Sequence, residues 1–139
     1  VISLHLPLNK ETTHLINKEA IDKMKTGVII INTARGGIIS TEALMSGLQS
    51  GKIGGAGLDV LEGEIDVKDE TELLKNISSV SQDRLKLLIE NRALMNMDNV
   101  IVTPHLAFYS REAIIRIINN SADAIETFIA GEVLSSKVI

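Results

Sequence analysis

The chain has 139 residues, 45% of them hydrophobic, which is enough for one compact domain with its own core. Its formal net charge is −4 and it has no run of clustered Lys or Arg, so nothing in it neutralises a phosphate backbone or an anionic membrane surface; neither nucleic acid nor membrane is expected as a partner. Cysteine is absent, which excludes disulfides, thiolate zinc sites and cysteine nucleophiles and suits a reducing cytoplasm, and no apolar stretch approaches the roughly 18 residues of a membrane span.

Val1 to Leu6 is a β-rich run ended by Pro7, whose missing N–H stops a ladder. The chain starts inside this strand pattern without an initiator Met or a basic signal start, so it is expected to be the latter part of something longer. Asn17 can cap a helix with Ala20, Ile21 and Met24 at helical spacing, and Gly27 sits where a helix stops. Val28 to Ile31 is apolar without alternation, the pattern of a parallel strand covered on both faces. Ser40 or Thr41 then caps a second helix through Ala43, Leu44 and Leu48, closed by Gly51. Ile53 to Val60 reads as a third strand whose glycines call for a close packing partner.

Residues from about 65 to 99 break this rhythm and read as an insertion, with a helix capped by Ser81 that turns Leu85, Leu88 and Ile89 inward. Val100-Ile101-Val102 is a fourth strand. Ser110 caps a long helix through Ile114, Ile118, Ala122, Ile125, Phe128 and Ile129, stopped near Gly131 and apolar over an arc wide enough to be covered on more than one side. Strands alternating with helices predict an α/β fold with a parallel sheet.

Chemistry-bearing residues gather just past the predicted strand ends. Arg35 follows Asn32-Thr33-Ala34, Glu62 and Glu64 follow Gly57-Leu58-Asp59-Val60, and His105 follows Thr103-Pro104. Strand ends are where an open α/β sheet exposes its site, so an arginine, a carboxylate and a histidine can meet there. Spacing alone leaves Glu62 and Glu64 as equal candidates for the carboxylate. His5 sits within the first strand run and reads as structural, and His14 reads as exposed. Gly54-Gly55-Ala56-Gly57 runs into a strand and presents no helix N-terminus to a phosphate.

Four ordered motifs carry a family resemblance: Ser3-Leu4-His5-Leu6-Pro7, Asn32-Thr33-Ala34-Arg35-Gly36, Gly57-Leu58-Asp59-Val60-Leu61-Glu62-Gly63-Glu64 and Thr103-Pro104-His105-Leu106-Ala107-Phe108-Tyr109. With them the chain resembles the D-isomer-specific 2-hydroxyacid dehydrogenases, most closely their D-lactate dehydrogenase branch. The resemblance implies the second half of a Rossmann-type NAD-binding domain, with flanking helices and a long C-terminal helix leading toward a substrate domain. That substrate domain, the dinucleotide-binding glycine turn and the residue choosing NAD over NADP are expected upstream of Val1.

The resemblance also assigns roles. His105 would be the acid/base, Glu64 the carboxylate holding it, and Arg35 the binder of the substrate carboxylate and carbonyl. Leu6, Pro7, Thr12, Thr33, Ala34, Arg35 and Asp59 would border NAD, with Phe108 and Tyr109 beside the substrate. No metal is expected. The implied activity interconverts a small 2-keto acid, pyruvate first, and its D-2-hydroxy acid, in a full-length homodimer. Phosphoglycerate, glyoxylate or larger 2-hydroxy acids are the alternatives within the family, and a non-catalytic truncated module is the alternative outside it. Half such a sheet exposes an unpaired edge, so the isolated chain is expected to be inactive and to aggregate, self-associate or bind a complementary fragment.

Overall fold

The structure, a computed structural model, describes residues 1–63 and 80–132. These fall into two units, which divide after His105.

The first unit is an α/β layer built on four parallel strands: β1 (Ile2–Leu4), β2 (Val28–Asn32), β3 (Ile53–Leu58) and β4 (Val100–Val102). They lie side by side in sequence order, β1-β2-β3-β4. Helices α1 (Lys18–Lys23), α2 (Thr41–Gln49) and α3 (Gln82–Leu94) connect them, with a short 3-10 turn at Gly36–Ile38. The helix starts are local chemistry. Asn17 accepts from the N–H of Ala20, Ser40 from that of Ala43 and Ser81 from that of Arg84, so each satisfies an amide that its helix leaves unbonded. The predicted first and third strands are trimmed: His5 and Asp59 both lie just beyond the ladder.

Right-handed crossovers between strands taken in sequence order place their helices on one face of the sheet. Burial follows that rule. Leu4, Ile30, Ala56, Leu58 and Val100 form a core with Ile21, Ile38, Leu44, Leu48 and Leu94. The opposite face holds Ile29 and Ile101, both exposed, Ile101 by 72%. The unbroken apolar run at Val28 to Ile31 suggested cover on both faces; within this unit the described residues cover one. Two glycines of β3 allow close approach: a Cβ at Gly54 would lie 2.8 Å from the carbonyl oxygen of Gly27, and one at Gly55 would lie 3.0 Å from that of Asn99.

Of the segment read as an insertion, residues 64–79 lie outside the described residues, and residues 80–99 carry α3. Its buried positions are Asn91 and Leu94, with Leu85 and Leu88 partly buried, whereas Ile89 is 69% exposed. The inward stripe therefore runs through residues 87, 91 and 94, and Ile89 falls on the far side of the helix.

The second unit begins at Leu106, and its described residues form a turn and one long helix, α4 (Arg111–Ile129), capped by Ser110 through the N–H of Ala113. Gly131 follows in the left-handed conformation of a helix stop. By itself this helix buries none of its residues.

Candidate active site

The register aligns Leu4 with Asn32, Asn32 with Leu58, and Leu58 with Val102. The residues that follow, beginning with His5, Thr33, Asp59 and Thr103, therefore leave the sheet at one level along its C-terminal edge. Main-chain hydrogen bonds extend the ladder into these loops. The N–H of Asp59 donates to the carbonyl of Asn32 at 2.9 Å, that of Thr103 to Leu58 at 2.9 Å, and that of His105 to Asp59 at 2.9 Å.

Asn32 is 1% exposed, and its side chain sets the Arg35 turn. Its amide nitrogen donates to the carbonyl of Arg35 at 3.0 Å, and its amide oxygen accepts from the N–H of Ala34 at 3.1 Å. Arg35 is exposed beyond this anchor, and its guanidinium donates to the carbonyl of Ala34 at 2.7 Å. Gly36 makes the turn possible, because a Cβ there would lie 2.0 Å from the carbonyl oxygen of Leu61. Loops 33–36 and 59–62 are thus packed backbone to backbone.

Asp59 is 4% exposed and accepts a short hydrogen bond from the hydroxyl of Thr103. His105 lies exposed beside it with φ at +55°, a left-handed conformation that is uncommon outside glycine and that concentrates at functional positions. One chain of hydrogen bonds runs from Arg35 through Asn32 and Asp59 to His105. Three of the residues selected from sequence are therefore fastened to one sheet edge. Glu64 lies outside the described residues.

On the cofactor side, Leu6 and Pro7 are exposed past β1, Thr33 is exposed and Ala34 is partly buried. The Thr12 hydroxyl closes its own loop by donating to the carbonyl of Pro7 at 2.6 Å. Leu6 and Pro7 present apolar surface, and Asp59 and Arg35 a carboxylate and a guanidinium, past the same C-terminal edge of the sheet; these are the kinds of group that a flat ring bearing a polar amide needs. Phe108 and Tyr109 belong to the second unit, their exposed rings edge to face with centroids 6.0 Å apart. His5 is exposed beyond the strand rather than within it, 2.8 Å from the Ser3 hydroxyl.

Sequence reasoning gave no role to a second cluster. Glu62, the rival of Glu64, lies with its carboxylate 2.5 Å from His14 Nε2 and accepts from the N–H of Thr41 at 2.9 Å. Burial pushes its pKa up, but hydrogen bonds from the Thr41 backbone and side chain and from His14, together with the His14 charge, outweigh it and leave the carboxyl below its ordinary value. Asn91 donates to the carbonyl of Glu62 at 2.9 Å. His14, read as simply exposed, is exposed and paired. Only a carboxylate just after a strand and a histidine in a preceding loop signalled this, and neither names the other.

Comparison with known proteins identifies the family. The family model described as D-isomer specific 2-hydroxyacid dehydrogenase, NAD binding domain, matches residues 1–107. An aromatic 2-oxoacid reductase from Clostridium sporogenes is 45% identical over 114 residues, covering 82% of this chain and 32% of its own length. Among solved structures, a D-lactate dehydrogenase from Treponema pallidum has TM-score 0.81 and 38% identity, covering 99% of this chain and 39% of its own. A D-lactate dehydrogenase from Aquifex aeolicus complexed with NAD and lactic acid has TM-score 0.75 and 40% identity, covering 94% of this chain and 37% of its own. The chain spans well under half the length of each. With its parallel sheet, its ordered motifs and its strand-end cluster, the chain belongs to the D-isomer specific 2-hydroxyacid dehydrogenases, within their NAD binding domain.

Proposed function

We propose that the full-length protein containing this chain is an NAD-dependent dehydrogenase that interconverts a small 2-keto acid, pyruvate foremost, and the D-2-hydroxy acid. The observation that carries the reading is the hydrogen-bonded series Arg35, Asn32, Asp59, His105 along one strand-end edge, in a chain of this family. Bound nicotinamide supplies the hydride that reaches the carbonyl carbon.

This chain's residues do the rest. The Arg35 guanidinium offers paired N–H donors to the substrate carboxylate and fixes which face of the carbonyl is presented. His105, as imidazolium, gives its proton to the carbonyl oxygen as the alkoxide forms, and takes it back in the reverse direction. Glu64 would serve to orient the imidazole. Leu6 and Pro7 would exclude water from one side of a bound nicotinamide, and Asp59, held by Thr103, would meet its amide.

Identity of 45% to an aromatic 2-oxoacid reductase favours a second reading, with a larger keto acid as preferred substrate. NADH oxidation by the full-length protein over a panel of pyruvate, phenylpyruvate, hydroxypyruvate and glyoxylate separates the two. Highest kcat/KM with pyruvate is expected. Highest kcat/KM with phenylpyruvate selects the second reading, and absence of turnover with every keto acid overturns both.

A further inference from the structure

The stretch leaving β3 is gripped from several directions. One Glu62 oxygen is 2.5 Å from Nε2 of His14, and the other accepts from the first amide of α2, at Thr41, at 2.9 Å. Its carbonyl accepts from Asn91 of α3, and the Leu61 carbonyl lies directly against Gly36. His14 is itself held. Its backbone is left-handed, with φ at +50°, its N–H donates to the carbonyl of Gly37 at 2.9 Å, and Ile16 forms a parallel bridge with Ile39 two residues on. One carboxylate therefore joins the loops that follow β1, β2 and β3. The neighbouring charges of α2 and α3 are engaged with one another: Lys86 is 3.2 Å from Glu42 and 3.6 Å from Glu90.

Building on the dehydrogenase reading above, we propose that Glu62, through its pair with His14, is a positioning residue for the reaction. It locks the loop after β3 to the start of α2, and so holds the Arg35-Gly36 turn, which packs on that loop, in the geometry that receives the keto acid. Glu62 does not touch the reacting atoms. It acts through Arg35, whose guanidinium must meet the substrate carboxylate in a fixed orientation. A glutamine at position 62 keeps the shape and an acceptor for Thr41 but loses the charge-assisted bond to His14.

The test uses the full-length protein with E62Q, H14Q and the double variant. It measures kcat and KM for the keto acid, NADH affinity by fluorescence, and melting temperature. E62Q is expected to lower kcat/KM for the keto acid by roughly ten- to hundredfold, as small misplacements of a binding group do. NADH affinity stays near wild type, while the melting temperature falls only by the small amount that one lost ion pair accounts for. H14Q acts in the same direction, and the double variant is no worse than E62Q alone, because both remove one interaction. If E62Q does not fold, H14Q carries the same comparison. Unchanged turnover in the variants, fully additive losses, or an equal loss of NADH affinity overturns the proposal. An active wild type with silent variants removes this inference alone, whereas a wild type inactive on every keto acid removes the dehydrogenase reading and this inference with it.

Discussion

His105 hangs from Asp59: its backbone N–H donates to the Asp59 carbonyl at 2.9 Å just where the chain turns left-handed at φ +55°. The bond carries the sheet one step beyond β4 and fixes where the imidazole starts. Holding a non-glycine residue in that conformation costs about 1–2 kcal/mol. His105→Asn, a side chain that tolerates it, is expected to keep the fold while lowering keto-acid turnover by the full-length protein by roughly 10²–10⁴-fold. Steady-state NADH oxidation with NADH affinity measured alongside checks this; near-normal turnover would remove His105 from the mechanism.

Asn32 serves Arg35 from inside the sheet. Asn32→Leu keeps the approximate volume but removes the side-chain partner of the Ala34 N–H and leaves the Arg35 carbonyl with only the Ile38 N–H at 3.3 Å, a loss of about 1–3 kcal/mol. The denaturation midpoint should fall and KM for the keto acid should rise. A variant with both unchanged would show that the turn is held by something else.

Gly36 is required by contact rather than by its backbone angles. A methyl group there meets a main-chain oxygen at 2.0 Å, so Gly36→Ala must separate two loops, at a cost of about 1–3 kcal/mol or more. Gly37→Ala is the control, because its nearest neighbour is a Leu8 side-chain carbon at 3.2 Å, which can move. Equal melting temperatures for the two variants would contradict this packing.

Glu62 makes the stability of the domain depend on pH in a stated direction. Its folded pKa lies below its ordinary value of 4.5, burial opposing and the Thr41 and His14 interactions prevailing. The unfolded state therefore takes up the proton first as pH falls. The contribution is complete above the unfolded value and disappears as pH drops through the folded one. The stability advantage of wild type over E62Q should shrink below pH 4.5, read from denaturation midpoints at successive pH values. A constant difference across that range would mean that the charge of Glu62 adds nothing.

Much of the secondary structure was legible because its causes are local. Asn17, Ser40, Ser81 and Ser110 each bond an amide three residues away, and the apolar runs at Val28 and Val100 bound their strands. The ordered motifs likewise placed Arg35, Asp59 and His105 at strand ends. Tertiary structure decided the rest. That Ile89 faces outward depends on which helix face meets α2, and the cover of one sheet face depends on strand order. That Asn32 carries the Arg35 turn, and that Glu62 meets His14 across 48 positions, depends on the register of parallel strands. A shift of one residue in that register would turn each side chain to the opposite face, and no pattern of neighbouring residues encodes which alignment prevails.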